Sequence, residues 1–170
     1  MTSITLRAGF IVLVDDEDAV LFERFTYRPN NGYVCRSGRG NEPSTCYLHR
    51  DIINAPRGSF VDHINHDKSD CRRENLRLAT RRENASNRLI TPTKSKSIYK
   101  GVYDLCTPNA RHRDWSRRNR WAARIASGRV YHHLGCFATQ EDAARAYDDA
   151  ARHFHGAFAN LNFPDIERAA

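Results

Sequence analysis

The sequence predicts an α+β chain: small antiparallel sheets, few short helices, and one longer amphipathic helix near the C-terminus. Three observations carry this. Residues 1–58 mix short apolar, β-branched runs such as "FIVLV" with turn residues. Residues 59–90 read as strand, polar loop, strand, helix. From residue 98 onward, three strand-like runs precede a single helical stripe. Apolar residues are 40% of the 170, enough for a core in one ordinary domain or two small ones.

In the small β-rich N-terminal segment, 1–58, "FTYR" and "GYVCR" flank "PNN", a hairpin-turn composition. "DDEDAVLFERF" suits a short helix, with acids at the end where the helix dipole favours negative charge. His49, in "YLHRDII", reads as structural or phosphate-contacting rather than catalytic. In the motif segment, 59–90, "FVDHI" and "LRLAT" are strand-like, and Thr80 with Glu83 forms a capping box that opens a helix. "TPTKSKS", 91–97, is a polar linker.

In the last segment, 98–164, "IYKGVY", "RWAARIA" and "VYHHLGCF" are strands. Thr139 with Asp142 caps a helix running to about His155, where Gly156 ends it. Ala143, Ala146, Tyr147, Ala150 and Phe154 share one helical face, so this helix packs on a three-stranded antiparallel sheet. In "RWAARI", Trp121, Ala123 and Ile125 alternate with Arg120, Ala122 and Arg124. One set meets the helix and the other offers its cations outward.

Composition narrows the function classes. No apolar run approaches the ~20 residues of a membrane span. "GFIVLV" runs straight into Asp15-Asp16-Glu17-Asp18, unlike a signal peptide, so the chain reads as cytosolic. Five cysteines, with no pair at metal-ligand spacing, read as reduced thiols. The net charge of +7 is concentrated: residues 94–130 hold ten Lys/Arg against Asp104 and Asp114, and residues 72–88 hold six Arg against Glu74 and Glu83. Two basic segments inside folded sequence point to a polyanion, nucleic acid above all.

The stretch "VDHINHDKSDCRRENLRLATRRENASNR" carries the chemistry. Phosphodiester hydrolysis needs a base for water, a cation on the developing charge, and groups that hold both. Asp62 offers a hard anionic oxygen, and His63 a base that titrates near neutrality. Asn75 and Asn84 offer amide oxygens, as ligands or as clamps on the imidazole. A strand–loop–strand–helix unit can gather Asp62, His63 and Asn84. Neighbours on a strand point to opposite faces, so Asp62 and His63 cooperate only if the strand twists or ends there. Asn87 either touches phosphate or lies on the polar side of the helix.

This stretch resembles the ββα-metal motif of HNH endonucleases: Asp-His, Asn twelve residues after the His, and Asn nine further on. The resemblance implies Asp62 and Asn84 as metal ligands, His63 as general base and Asn75 as the residue that orients it. It implies one Mg²⁺ or Mn²⁺ per active site, in keeping with the hard oxygen donors. It also implies 5′-phosphate and 3′-hydroxyl products. One site per chain fits a nick per binding event by a monomer or weak dimer. Cys71 stands where many members have Asn.

"YKGVY…RWAARI…HHLGCFATQEDAARAYDDAARHFHGAFANLNFP" resembles the Apetala-type (ethylene-responsive-factor) DNA-binding domain, which lays a three-stranded sheet in the major groove. By that resemblance Lys100, Tyr103, Arg120, Arg124, Tyr131 and His133 are DNA-binding positions on double-stranded DNA. That family commonly has Arg where Tyr103 sits and Trp where His133 sits, so its plant target sequence does not transfer. Residues 104–119 form a longer insertion, in which Arg111, Arg113, Arg117 and Arg118 suit phosphates and Trp115 suits an anchor or a stacked base.

The combination resembles phage-encoded, homing-type HNH endonucleases. That implies a mobile element of a phage or prophage acting in bacterial cytoplasm. The rival is a non-catalytic DNA-binding regulator that uses the motif segment only as a second binding surface.

Overall fold

The computed structural model describes residues 1–89, 97–105 and 119–164. The arginines and Trp115 of the 104–119 insertion, and all of the linker except Ser97, lie outside these. The chain divides into two units, Met1–Asn84 and Ala85–Ala170.

The first unit opens with a hairpin of β1 (Thr2–Thr5) and β2 (Ile11–Val14). Val12 and Val14 are fully buried while Ile11 is exposed, the alternation of a one-sided strand. After α1 (Val20–Arg24) come β3 (Arg28–Asn30), β4 (Tyr33–Ser37) and β5 (Thr45–Tyr47), paired in that order. The β3–β4 turn is Asn31-Gly32, with φ +50° and +81°. A two-residue hairpin loop of this kind needs positive φ at both positions, which Asn and Gly adopt cheaply.

Helix α2 (Leu48–Ile52) leads to β6 (Phe60–His63), β7 (Leu76–Ala79) and α3 (Arg81–Ser86). The capping box is present: the Thr80 N–H donates to Glu83 at 2.7 Å, and the Glu83 N–H donates to the Thr80 hydroxyl at 3.2 Å. The core joins Val12, Val14, Tyr27, Val34, Leu48 and Ile52 to Cys71 and Leu76. Residues 1–58 and the strand–loop–strand segment therefore share one interior. The β6–β7 loop is tied to β2, where Leu13 N–H donates to Ser69 O at 3.0 Å and Cys71 N–H donates to Leu13 O at 2.8 Å. Arg73 adds a bidentate pair with buried Asp18, at 2.7 and 2.9 Å.

The second unit carries the expected sheet: β8 (Val102–Asp104), β9 (Trp121–Ser127) and β10 (Val130–Phe137), antiparallel in the order β10-β9-β8. Helix α4 (Gln140–His155) starts at Thr139, whose hydroxyl accepts from the Asp142 N–H at 3.1 Å, and stops at Gly156. Its buried face is Ala143, Ala144, Tyr147, Asp148 and Ala151. This is turned slightly from the expected stripe, since Ala144 and Ala151 are fully buried and Ala146 is not. Buried Asp148 is satisfied by the N–H groups of Asn162 and Phe163 at 2.8 Å each, so it straps the "LNFP" segment to the helix. Gly101 sits at φ +75°, and a Cβ there would overlap the Tyr147 ring.

Candidate functional site

Strand β6 places the two leading candidates. Asp62 lies opposite Arg77 on β7, and its Oδ2 accepts from Arg77 Nε at 2.8 Å and Nη2 at 2.7 Å. The regular strand ends at His63, which is still paired with Leu76. The side chains of Asp62 and His63 are both buried.

The ring of His63 meets that of His49 edge-on, with centroids 5.1 Å apart, and that of Tyr33 at 6.0 Å. His49 in turn stacks on Tyr47 at 5.5 Å with planes 17° apart. Lys68 brings its ammonium 4.2 Å from the centre of the Tyr33 ring. Burial pushes the His49 imidazolium down to about 3, with His63 and Arg50 adding to the effect. Burial also lowers His63, while Asp62, Asp67 and Asp70 pull it back. Both imidazoles are therefore neutral near pH 7, which is the form that can take a proton.

Asn75 is buried in the β6–β7 loop. Its Oδ1 accepts from the Asn65 N–H at 2.9 Å and its Nδ2 donates to Asp70 O at 2.7 Å. Its backbone carbonyl takes the Ile64 N–H at 2.9 Å. The side chain thus fixes the backbone immediately after His63. Asn84 is half-buried in α3, with its N–H on Thr80 O at 3.0 Å and no side-chain hydrogen bond among the described residues. Asn87 is buried rather than on a solvent-facing side.

The donor chemistry of Asp62 and Asn84, a carboxylate and an amide oxygen, fits a hard divalent cation that keeps water or phosphate in its remaining positions. Among the described residues no group of three or more His, Cys, Asp or Glu could hold a metal ion. Cys71 belongs to the core, where burial pushes its thiol up to about 12.

In the second unit, Arg124 is exposed on the face of the sheet away from α4. Its guanidinium lies 5.1 Å from the Tyr103 ring and 5.5 Å from the Tyr131 ring. His133 pairs with Arg124 across β9–β10 and is exposed, and Tyr131 is 71% exposed. These four form one cationic, aromatic patch. Arg120 is placed differently: it makes a bidentate pair with buried Asp104, at 3.1 and 2.8 Å. Lys100 also departs from expectation. Its Nζ donates to Ser86 O at 2.6 Å and Arg88 O at 2.9 Å, and burial lowers it to about 8. Its ammonium is thus tied to two backbone carbonyls of its own unit.

His49, Tyr33, Tyr47 and Arg77 were not singled out by the motif, apart from the structural or phosphate-contacting reading given to His49. Only the position of Arg77, directly across from Asp62 once β6 and β7 are paired, was recoverable from the sequence.

Residues 54–86 match the family model described as HNH endonuclease, and this segment spans β6, β7 and α3. An uncharacterized HNH endonuclease of Acanthamoeba polyphaga mimivirus is 28% identical over 142 residues, covering 82% of this chain and 67% of that protein. An AP2-like ethylene-responsive transcription factor of Arabidopsis thaliana is 35% identical over 125 residues, 72% of this chain but only 31% of the relative. A second ethylene-responsive transcription factor of Arabidopsis thaliana is 51% identical over 55 residues, which is 31% of this chain and 20% of the relative. The chain thus spans less than a third of these plant relatives and about two thirds of the viral one. Together the matches support a fusion of an HNH segment with an AP2-type segment. Among the described residues no helix is long and apolar enough to cross a membrane.

Proposed function

We propose that the chain is a metal-dependent DNA endonuclease of the homing type, with its chemistry on β6, β7 and α3 and its target choice on the β8–β10 sheet. The observation that carries this is a neutral, buried imidazole, His63, at the end of β6 beside Asp62, inside the segment that matches the HNH model. His63 takes a proton from water at a ring nitrogen as the water attacks the scissile phosphate. Asn75 holds the backbone that follows His63 and so fixes its approach. Arg77 keeps the Asp62 carboxylate in place across the strands. Mg²⁺ or Mn²⁺, held by Asp62 and Asn84, would supply charge stabilisation at the phosphate and at the leaving oxygen.

The patch of Tyr103, Arg124, Tyr131 and His133 supports contact with double-stranded DNA, Arg124 being the side chain suited to a base edge. A phage setting in bacterial cytoplasm, and a monomer or weak dimer, follow from the resemblance alone. Supercoiled plasmid incubated with the protein and Mg²⁺, with and without EDTA, tests the reading. Nicked or linear DNA that forms only without EDTA, and is lost in His63→Ala, is expected. Intact plasmid under both conditions, with DNA still bound, would make the chain a regulator.

A further inference from the structure

The first unit holds a second cationic feature, remote in sequence from the HNH segment. Arg7, Arg28, Arg36 and Arg39 line a cavity of about 320 Å³ around Phe25, and none of its lining residues is a carboxylate. Residues 1–58 carry seven arginines and seven Asp/Glu. The cavity takes four of the former and none of the latter, so its charge reflects placement rather than composition.

Arg36 is committed. It is buried, bonded to Glu42 and Asp51 at 2.7 and 2.8 Å, and its guanidinium lies 4.1 Å from the Phe25 ring centre. The other three are not. Arg7, Arg28 and Arg39 are exposed, and none makes a side-chain hydrogen bond or ion pair among the described residues. Arg39 rests on Phe25 at 5.2 Å, which limits where its guanidinium can swing. Arg39 is partly offset by Glu42, which accepts its backbone N–H at 2.8 Å, but the cluster of arginines around one concavity still focuses a positive field into it. An anion with several oxygens complements that field, and guanidinium forks match phosphate oxygens in pairs.

We propose that this pocket seats a backbone phosphate of duplex DNA, giving the nuclease-bearing unit an anchorage of its own. The proposal rests on the endonuclease reading above, because that reading supplies the polyanion. The anchorage is independent of the Arg124 patch and indifferent to base sequence.

The test is the salt dependence of DNA binding by the full chain. Affinity for a fixed duplex is measured at several NaCl concentrations for the parent, for the Arg7→Ala/Arg28→Ala/Arg39→Ala variant, and for the same three positions changed to Lys. Each lost phosphate contact flattens the slope of log K against log salt by about 0.9. The alanine variant is expected to flatten by at least one such step on target and scrambled duplexes alike, and the lysine variant to keep most of the slope. If the triple alanine variant melts early, Arg28→Ala alone carries the measurement. An unchanged slope in a folded alanine variant overturns the proposal. Stabilisation of the parent against heat by inorganic phosphate, lost in the alanine variant while the DNA slope stays the same, overturns it in favour of a small-anion pocket. A parent that binds no DNA at any salt defeats the endonuclease reading itself, a different failure.

Discussion

The imidazole of His49 meets that of His63 edge-on, ring centroids 5.1 Å apart and planes at 80°. They stand fourteen positions apart on consecutive elements, α2 and β6, and both are buried. His49 Nδ1 has no hydrogen-bond partner among the described residues. Leaving such an atom buried costs about 1–3 kcal/mol. The ring that bears it forms one wall beside the proposed base.

His49→Ala should therefore lower kcat for cleavage by about 10- to 100-fold, the scale of a base displaced by an ångström or so. KM and DNA affinity should stay near the parent values. His49→Phe keeps a ring against His63 and should restore most of kcat. Steady-state kinetics on both variants checks this, and a Phe variant as slow as the Ala variant would remove the ring contact as the cause.

The same residue makes stability depend on pH. Unfolded, His49 takes a proton as pH falls through 6.5; folded, it resists until about 3. The unfolded chain then binds the extra proton, so stability is intact above pH 6.5 and declines below it, by at most about 1.4 kcal/mol per pH unit from this group. Melting temperatures between pH 6.5 and 4.5 should fall for the parent and fall less for His49→Phe. Parallel curves would mean that His49 is not buried in the neutral form.

What the sequence made legible was local. Strands β6 and β7, the Thr80–Glu83 box, the Thr139 cap and the Gly156 stop follow from periodicity and short-range chemistry, and each is found. The fate of individual side chains was not legible. Nothing near Lys100 announces that its ammonium binds the carbonyls of Ser86 and Arg88. Nothing in "FIVLV" announces that Leu13 would bridge to the loop before Cys71. Such pairings are decided by packing across dozens of residues, to which a local pattern is blind.

His63→Ala should cut the rate by roughly 10²- to 10⁴-fold, the usual contribution of a general base, with little change in DNA affinity. Asn75→Ala should act differently. It removes the amide that bridges Asn65 and Asp70, so stability should drop by about 1–3 kcal/mol along with activity. Thermal melts beside cleavage assays separate the two, and an Asn75→Ala protein as stable as the parent contradicts the loop-fixing role.

Gly101→Ala should destabilise the second unit by several kcal/mol or prevent its folding. The added methyl would meet the Tyr147 ring, and would come within 2.7 Å of Arg124 O, at a φ of +75° that L-residues rarely adopt. The double variant Gly101→Ala/Tyr147→Leu should recover part of the loss. Denaturant titration of both reads this out, and a Gly101→Ala protein of parental stability would show that β8 can shift away from α4 at no cost.

Arg120 and Arg124, both expected from the sequence to face DNA, should separate in their effects. Arg124 is exposed between Tyr103 and Tyr131, so Arg124→Ala should leave melting nearly unchanged. It should weaken target binding by about 1–3 kcal/mol and relax sequence preference, the signature of a lost base-edge contact. Arg120 spends its guanidinium on Asp104, whose side chain is 1% exposed while that of Arg120 is 48% exposed. Arg120→Ala removes two hydrogen bonds from that buried carboxylate and should cost about 1–3 kcal/mol of stability, with DNA affinity falling only as far as the fold does. Arg120→Lys should not rescue it fully, because a single ammonium cannot reproduce the two-pronged contact. Gel-shift titrations on target and scrambled duplexes, run beside melts of each variant, decide the matter. If Arg124→Ala weakens both duplexes equally and flattens the salt slope by about one, Arg124 grips a phosphate instead of reading a base.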